Sequence, residues 1–240
     1  QILSLYKDSE KNIWIGTNGN GLCKYLGDKF SHFSMKEGLS SNMVLDITQD
    51  MNGNYWIATD GGGVSMFSKN KEGLKVTNYT KNSGLETNLI SSLTGGDVKN
   101  SNIWIGTSRN GLVKYDGDKF KVYTESDGLL NNRINDVLVD AKGIVWIATA
   151  KGISRFDGVE FLNVTMDNML ISNDGVKAII EDELGDIWFG TSGALAVYKG
   201  NGELTTFDAV EGLYNPDVNS IIEGPKGNIW IGTNGDGIFK

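Results

Sequence analysis

An all-β array of repeated four-stranded units is the fold class this sequence predicts, on three observations. The six tryptophans, Trp14, Trp56, Trp104, Trp146, Trp188 and Trp230, are spaced by 42, 48, 42, 42 and 42 residues, each inside a motif of the N-I-W-I-G-T type. The apolar runs around them are short, rich in β-branched and aromatic residues, and bounded by Gly, Asn and Asp, as strands are. No stretch sustains a helical period. Six copies at near-constant spacing mark a tandem array with no separate domains inside it.

One unit reads from Val44 to Thr80. A run over Val44–Thr48 ends at the turn of Asp50, Asn52 and Gly53, and a second over Tyr55–Thr59 holds the tryptophan and stops at Asp60–Gly63. A third run follows at Val64–Phe67 and a fourth at Val76–Tyr79. Four strands per repeat of roughly 40 to 45 residues is the description of a β-propeller blade. Such a sheet has two apolar faces and buries both only by stacking on its neighbours, and a buried aromatic contributes about 150 to 250 Å². Aligned on the tryptophans, first strands begin at Ile2, Val44, Ile90, Ile134, Val176 and Val218, with blades over residues 1–37, 38–83, 84–127, 128–168, 169–211 and 212–240. The small residue after each Trp-Ile or Trp-Phe pair (Gly16, Ala58, Gly106, Ala148, Gly190, Gly232) is expected to serve packing. The sixth unit stops at Lys240 after its third strand, which would leave an edge that sheets usually avoid. The start at Gln1, with no Met and no signal peptide, and this edge are together read as those of a piece excised from a longer array.

The 240 residues carry a formal net charge of −8, one Cys and one His. The acidic balance argues against nucleic acid or anionic lipid as partner, since phosphate recognition wants clustered Lys and Arg. No apolar run reaches the ~18 to 20 residues of a membrane-spanning helix. A lone cysteine excludes an internal disulfide.

Enzyme chemistry is sought and not found in the pattern. His32 reads as an exposed strand residue and Cys23 as a small buried thiol, in a column that holds Ser65, Val113, Ser154 and Ala196 elsewhere. The turn Asp50–Asn54 begins like a calcium loop but lacks the Gly at its sixth position and the closing Glu at its twelfth. Asp8, Asp140 and Asp182 fill the same turn in other units, where a side-chain oxygen caps its own turn. The triplet Glu181, Asp182, Glu183 reads as a solvated turn. No catalytic residue, cofactor or metal site is therefore assigned.

Ligand recognition belongs on the loops of a rigid scaffold. The loops joining strands two and three and those joining successive blades should open on one face. The first set holds Asn20, Asp60, Arg109, Lys151, Ser192 and Asp236, and the second adds Arg133 and Tyr214 in place of small polar residues. Asp60, Arg109, Arg133, Lys151, Tyr214 and Asp236 are the candidate ligand-binding residues; Arg and Tyr suit sugar hydroxyls, ring faces and uronate carboxylates. The third position of the first strand (Ser4, Asp46, Ser92, Asp136, Ala178, Ser220) is small or acidic throughout. Tight convergence near a central axis accounts for it, with a polar channel mouth as the functional alternative.

A second signature lies between blades: G-L-S-S-N at Gly38–Asn42, G-L-E-T-N at Gly84–Asn88 and G-L-L-N-N at Gly128–Asn132. The fourth unit departs with M-L-I-S-N at Met169–Asn173, and the fifth ends in G-L-Y-N-P at Gly212–Pro216. Followed by D-x-x-G-x-x-W-I-A/G-T and then G-L or G-V, this resembles the two-component regulator propeller repeat. The resemblance covers the whole chain and implies a non-enzymatic sensor propeller in the extracytoplasmic (periplasmic or cell-surface) region of a hybrid histidine kinase-type regulator. The partners it implies are a small-molecule ligand of the oligosaccharide class and the downstream signalling domains of a parent chain, with a homodimer as a further option. Nucleic acid and membrane contact by this segment are not expected. The alternative reading is a protein-interaction or dimerisation scaffold without a small ligand; a propeller lyase or hydrolase is the least supported.

Overall fold

The computed structural model describes residues 1–70, 73–95, 102–165, 175–200, 202–207 and 217–240. In it every tryptophan motif is the second strand of a small antiparallel sheet whose sequential strands are neighbours. Blade one is β1 (Ile2–Lys7), β2 (Ile13–Thr17), β3 (Leu22–Tyr25) and β4 (Phe30–Phe33). Blade two is β5 (Val44–Gln49), β6 (Tyr55–Thr59), β7 (Gly63–Asn70) and β8 (Gly73–Tyr79). Blade three is β9 (Ile90–Gly95), β10 (Ile103–Thr107), β11 (Leu112–Tyr115) and β12 (Phe120–Tyr123). Blade four is β13 (Ile134–Val139), β14 (Val145–Thr149), β15 (Gly152–Phe156) and β16 (Phe161–Thr165). Blade five is β17 (Val176–Glu181), β18 (Ile187–Thr191), β19 (Leu195–Tyr198) and β20 (Leu204–Phe207). Blade six has three strands among the described residues, β21 (Val218–Gly224), β22 (Asn228–Thr233) and β23 (Ile238–Phe239). All six first strands start where the apolar runs place them.

The chain forms two compact units, residues 1–122 and 123–240. In the first, β1, β5 and β9 lie side by side and the blades stack face on face. Trp14 meets Tyr55 of the next blade at 4.3 Å between ring centroids, and Trp56 meets Tyr115 at 5.4 Å. In the second unit β13, β17 and β21 repeat the arrangement, with Trp146 against Phe189 at 5.8 Å and Tyr198 at 5.2 Å. At about 25 cal/mol per Å² of apolar area, this inter-blade burial is the main term holding each unit together.

The repeat motifs have structural reasons. In blades one, two, four and five an aspartate stands six residues before the tryptophan and caps its turn as expected: Asp140 Oδ1 accepts from the amides of Lys142 at 2.9 Å and Ile144 at 2.8 Å. The structure adds a second task. The Oδ2 atoms of Asp8, Asp50 and Asp140 accept the indole N–H of Trp14, Trp56 and Trp146 at 2.9 Å each, and that of Asp182 accepts from Trp188 at 2.8 Å. Blade six has Gly224 at this place, and Trp230 is 38% exposed where Trp146 is 4% exposed. The glycine after the Trp-Ile or Trp-Phe pair is a packing residue: a Cβ on Gly190 would stand 2.5 Å from Val218 Cγ1.

The inter-blade G-L-x-x-N segment follows a single turn of 3-10 helix at Met35–Glu37, Lys81–Ser83 and Glu125–Asp127 that the strand pattern did not reveal. Gly38, Gly84 and Gly128 close these turns at φ 106°, 95° and 103°, a conformation that favours glycine. Leu39, Leu85 and Leu129 are buried. Asn42, Asn88 and Asn132 accept the first amide of the turn at 2.9, 2.7 and 2.9 Å. Met169–Asn173 and Gly212–Pro216 lie outside the described residues.

Candidate ligand-binding site on the loop face

Each N-I-W-I-G-T motif ends in a threonine whose hydroxyl closes the loop to strand three, as Thr59 does on the Gly63 carbonyl at 3.0 Å and Thr149 on that of Gly152 at 2.8 Å. The closed loop then bonds to the inter-blade segment. In the first unit the Asp60 amide donates to the Met43 carbonyl at 3.0 Å and that of Ser108 to Leu89 at 3.0 Å. In the second, Ala150 donates to Arg133 at 3.1 Å and Asn234 to Asp217 at 2.8 Å. Within each unit the two loop sets therefore share one face.

On that face Asp60 and Arg109 of the first unit, and Arg133, Lys151 and Asp236 of the second, are exposed. The Ala150–Arg133 bond brings the Arg133 and Lys151 loops together. Among the described residues no ion pair involves Arg109, Arg133 or Lys151. Tyr214 lies outside the described residues.

The most organised polar group on this face was not singled out from the sequence. Lys177, the second residue of β17, forms an ion pair with Asp217, and its ammonium lies 3.5 Å from Asn219 Oδ1. Ser192 donates to Asp217 Oδ1 at 2.7 Å and Asn234 Nδ2 to Oδ2 at 3.2 Å. The Lys177 ammonium first, and the Ser192 hydroxyl next, hold the Asp217 carboxyl below the usual carboxylate range. The signal lay in the second column of the first strand, which reads Leu3, Leu45, Ser91, Asn135, Lys177 and Asn219 and turns polar in its second half.

The two aspartates of the third column bond across blade boundaries. Asp46 accepts the amide of Ile47 at 2.8 Å and, across the blade boundary, that of Leu93 at 2.7 Å. Asp136 repeats this on Val137 at 2.9 Å and Ile179 at 2.9 Å. Both carboxylates tie adjacent first strands together.

Cys23 and His32, nine residues apart, face each other across the β3–β4 pairing, with Sγ 3.1 Å from Nδ1. His32 is exposed as expected, but Cys23 is only half-buried; Leu5 and Phe30 on the same blade are also open to solvent. Desolvation still pushes the thiol pKa up, away from what a nucleophile needs. Among the described residues no group of three metal-ligating side chains exists, and no helix is long and apolar enough to cross a membrane.

Six antiparallel blades with this strand order define a β-propeller. The two-component regulator propeller model matches residues 1–19, 38–61, 128–151, 170–193 and 213–235, in five of the six repeats. It is similar to the extracellular domain assigned to a hybrid two-component system of B. thetaiotaomicron, at 25% identity and a TM-score of 0.85 over 99% of this chain and 33% of that one. A second extracellular domain from that organism, assigned to a one-component system, matches at 22% identity and a TM-score of 0.80 over 99% and 34%. The chain thus spans about a third of the length of these relatives. Virginiamycin B lyase of Staphylococcus aureus shares the fold at 16% identity and a TM-score of 0.73 over 96% and 76%. A comparison with curated proteins finds no match.

Proposed function

We propose that this chain is a non-enzymatic, extracytoplasmic sensing segment of a two-component-type receptor, and that it binds an oligosaccharide on the loop face of its second unit. One observation carries the reading: Lys177, Ser192, Asp217, Asn219 and Asn234, drawn from two first strands, two loops between strands two and three, and one inter-blade segment, converge on a single bonded cluster. Its ion pair is internally neutral, and its amide and hydroxyl groups offer the alternating donors and acceptors that sugar hydroxyls match. Arg133 and Lys151, on the same face, add charge for an acidic sugar. The similarity to extracellular domains of two-component systems supports the sensor role and an extracytoplasmic location.

The test is a thermal-shift screen against plant and host oligosaccharides, followed by calorimetry. A ligand at about 100 times its Kd adds about 2.7 kcal/mol of stability. A saturable shift that Lys177→Ala abolishes supports the reading. A flat screen with a cooperative melt favours the interaction scaffold.

A further inference from the structure

Blades two and four each hold the preceding inter-blade loop with the same two side chains. In blade two the Ser40 amide donates to Ser65 Oγ at 3.0 Å, Ser65 donates to Asn78 Oδ1 at 2.7 Å, and Asn78 Nδ2 donates to the Gly38 carbonyl at 2.9 Å. In blade four the Leu130 amide donates to Ser154 Oγ at 3.0 Å, Ser154 to Asn163 Oδ1 at 2.7 Å, and Asn163 Nδ2 to Gly128 at 2.9 Å. The hydroxyl thus takes one loop amide and passes its proton to a side-chain acceptor, whose own N–H takes a loop carbonyl two residues earlier.

Cys23 and His32 occupy these two positions in blade one. Cys23 pairs with Ile15 as Ser65 does with Ile57 and Ser154 with Ile147, and His32 pairs with Cys23 as Asn78 does with Ser65. The chemistry is the same in kind for the tautomer that carries its proton on Nε2: the thiol then donates to Nδ1 across 3.1 Å and Nε2–H is the outward donor. A thiol whose pKa is raised stays protonated for this task. The apolar residues beside the pair are also without a cover. Leu5 is 66% exposed, where Ile47 and Leu93 in its column are 3% and 5% exposed. Phe30 is 57% exposed, where Val76 and Phe161, against which Gly38 and Gly128 pack, are half-buried.

We propose that Cys23 and His32 form a docking clamp for the Gly-Leu-x loop of a further blade of this same repeat, which packs on Leu5 and Phe30. Two such clamps already operate in this chain, and they fix the occupant: a glycine carbonyl for Nε2–H and an amide two residues on for Sγ.

The test fuses a second copy of residues 44–88 ahead of Gln1, which sets its G-L-E-T-N loop before Ile2 in the register it has before Ile90. Docking should slow the reaction of Cys23 with a disulfide reagent about tenfold or more and raise Tm. His32→Ala in the fusion should restore the fast reaction, while the double change Cys23→Ser, His32→Asn, which rebuilds the blade-two pair, should keep the Tm gain. An added repeat that stays unfolded ahead of an intact chain overturns the proposal, as does protection that survives His32→Ala. Protection in the unextended chain that grows with protein concentration assigns the face to a second copy instead, and also overturns it.

Discussion

The indole nitrogen of Trp146 donates to Asp140 Oδ2 at 2.9 Å, while the other oxygen of that carboxylate holds two backbone amides of the β13–β14 turn. One side chain therefore closes a turn and fixes the ring that packs on blade five. Asp140→Ala strands three donors, two of them backbone, and should destabilise the chain by about 2 to 4 kcal/mol in urea unfolding. Trp230 has no such partner, so Trp230→Phe should change stability far less than Trp146→Phe, by less than about 1 kcal/mol against about 2 or more.

Two aspartates of the first unit pull stability in opposite directions with pH. Desolvation pushes the Asp46 carboxyl up to about 6 against bonds from Leu93 and Ile47 that lower it, from an unfolded value of 3.8. Between about 4 and 6 the folded chain holds a proton that the unfolded chain has released, so stability falls as pH rises through this window. Burial also pushes Asp8 up, but hydrogen bonds from Asn12, Trp14 and Tyr55 outweigh it and set the carboxyl at about 2. Its contribution is complete above 3.8 and is lost as pH falls toward 2. Denaturant midpoints across the acid range should show both limbs, Asp46→Asn flattening the upper and Asp8→Asn the lower.

Gly190→Ala places a methyl group against Val218 and should cost about 1 to 3 kcal/mol. Gly27→Ala, which meets no atom within 4 Å, tests the left-handed backbone alone and should cost about 1 kcal/mol or less. Thermal unfolding of the two variants separates packing from backbone conformation.

For ligand binding, Lys177→Ala and Asp217→Ala should each weaken affinity about tenfold or more by calorimetry, since each leaves the other's charge unpaired in the cluster. Arg133→Ala and Lys151→Ala should weaken only a uronate-bearing sugar, in a salt-dependent way.

The repeat made most of the fold legible. Strand starts, turn caps and the three-stranded last blade follow from period and residue type, because each blade meets the same packing problem. The indole bonds were not legible, because a capping aspartate and a tryptophan six residues on show no periodic relation until the hairpin brings them together. The site was less readable still. Arg133, Lys151 and Asp236 do lie on the loop face, but the Lys177 cluster draws on β17, β21, two loops and an inter-blade segment, and the pairings that join them span up to 42 residues of sequence. Cys23 and His32 were read singly, although the register of β3 and β4 sets them opposite each other.

Lys177 and Ile179 stand two residues apart on β17, one in the polar cluster and the other with its amide on Asp136 of the blade before. The polar cluster on the loop face and the joint between blades four and five are thus anchored on one short strand, two residues apart.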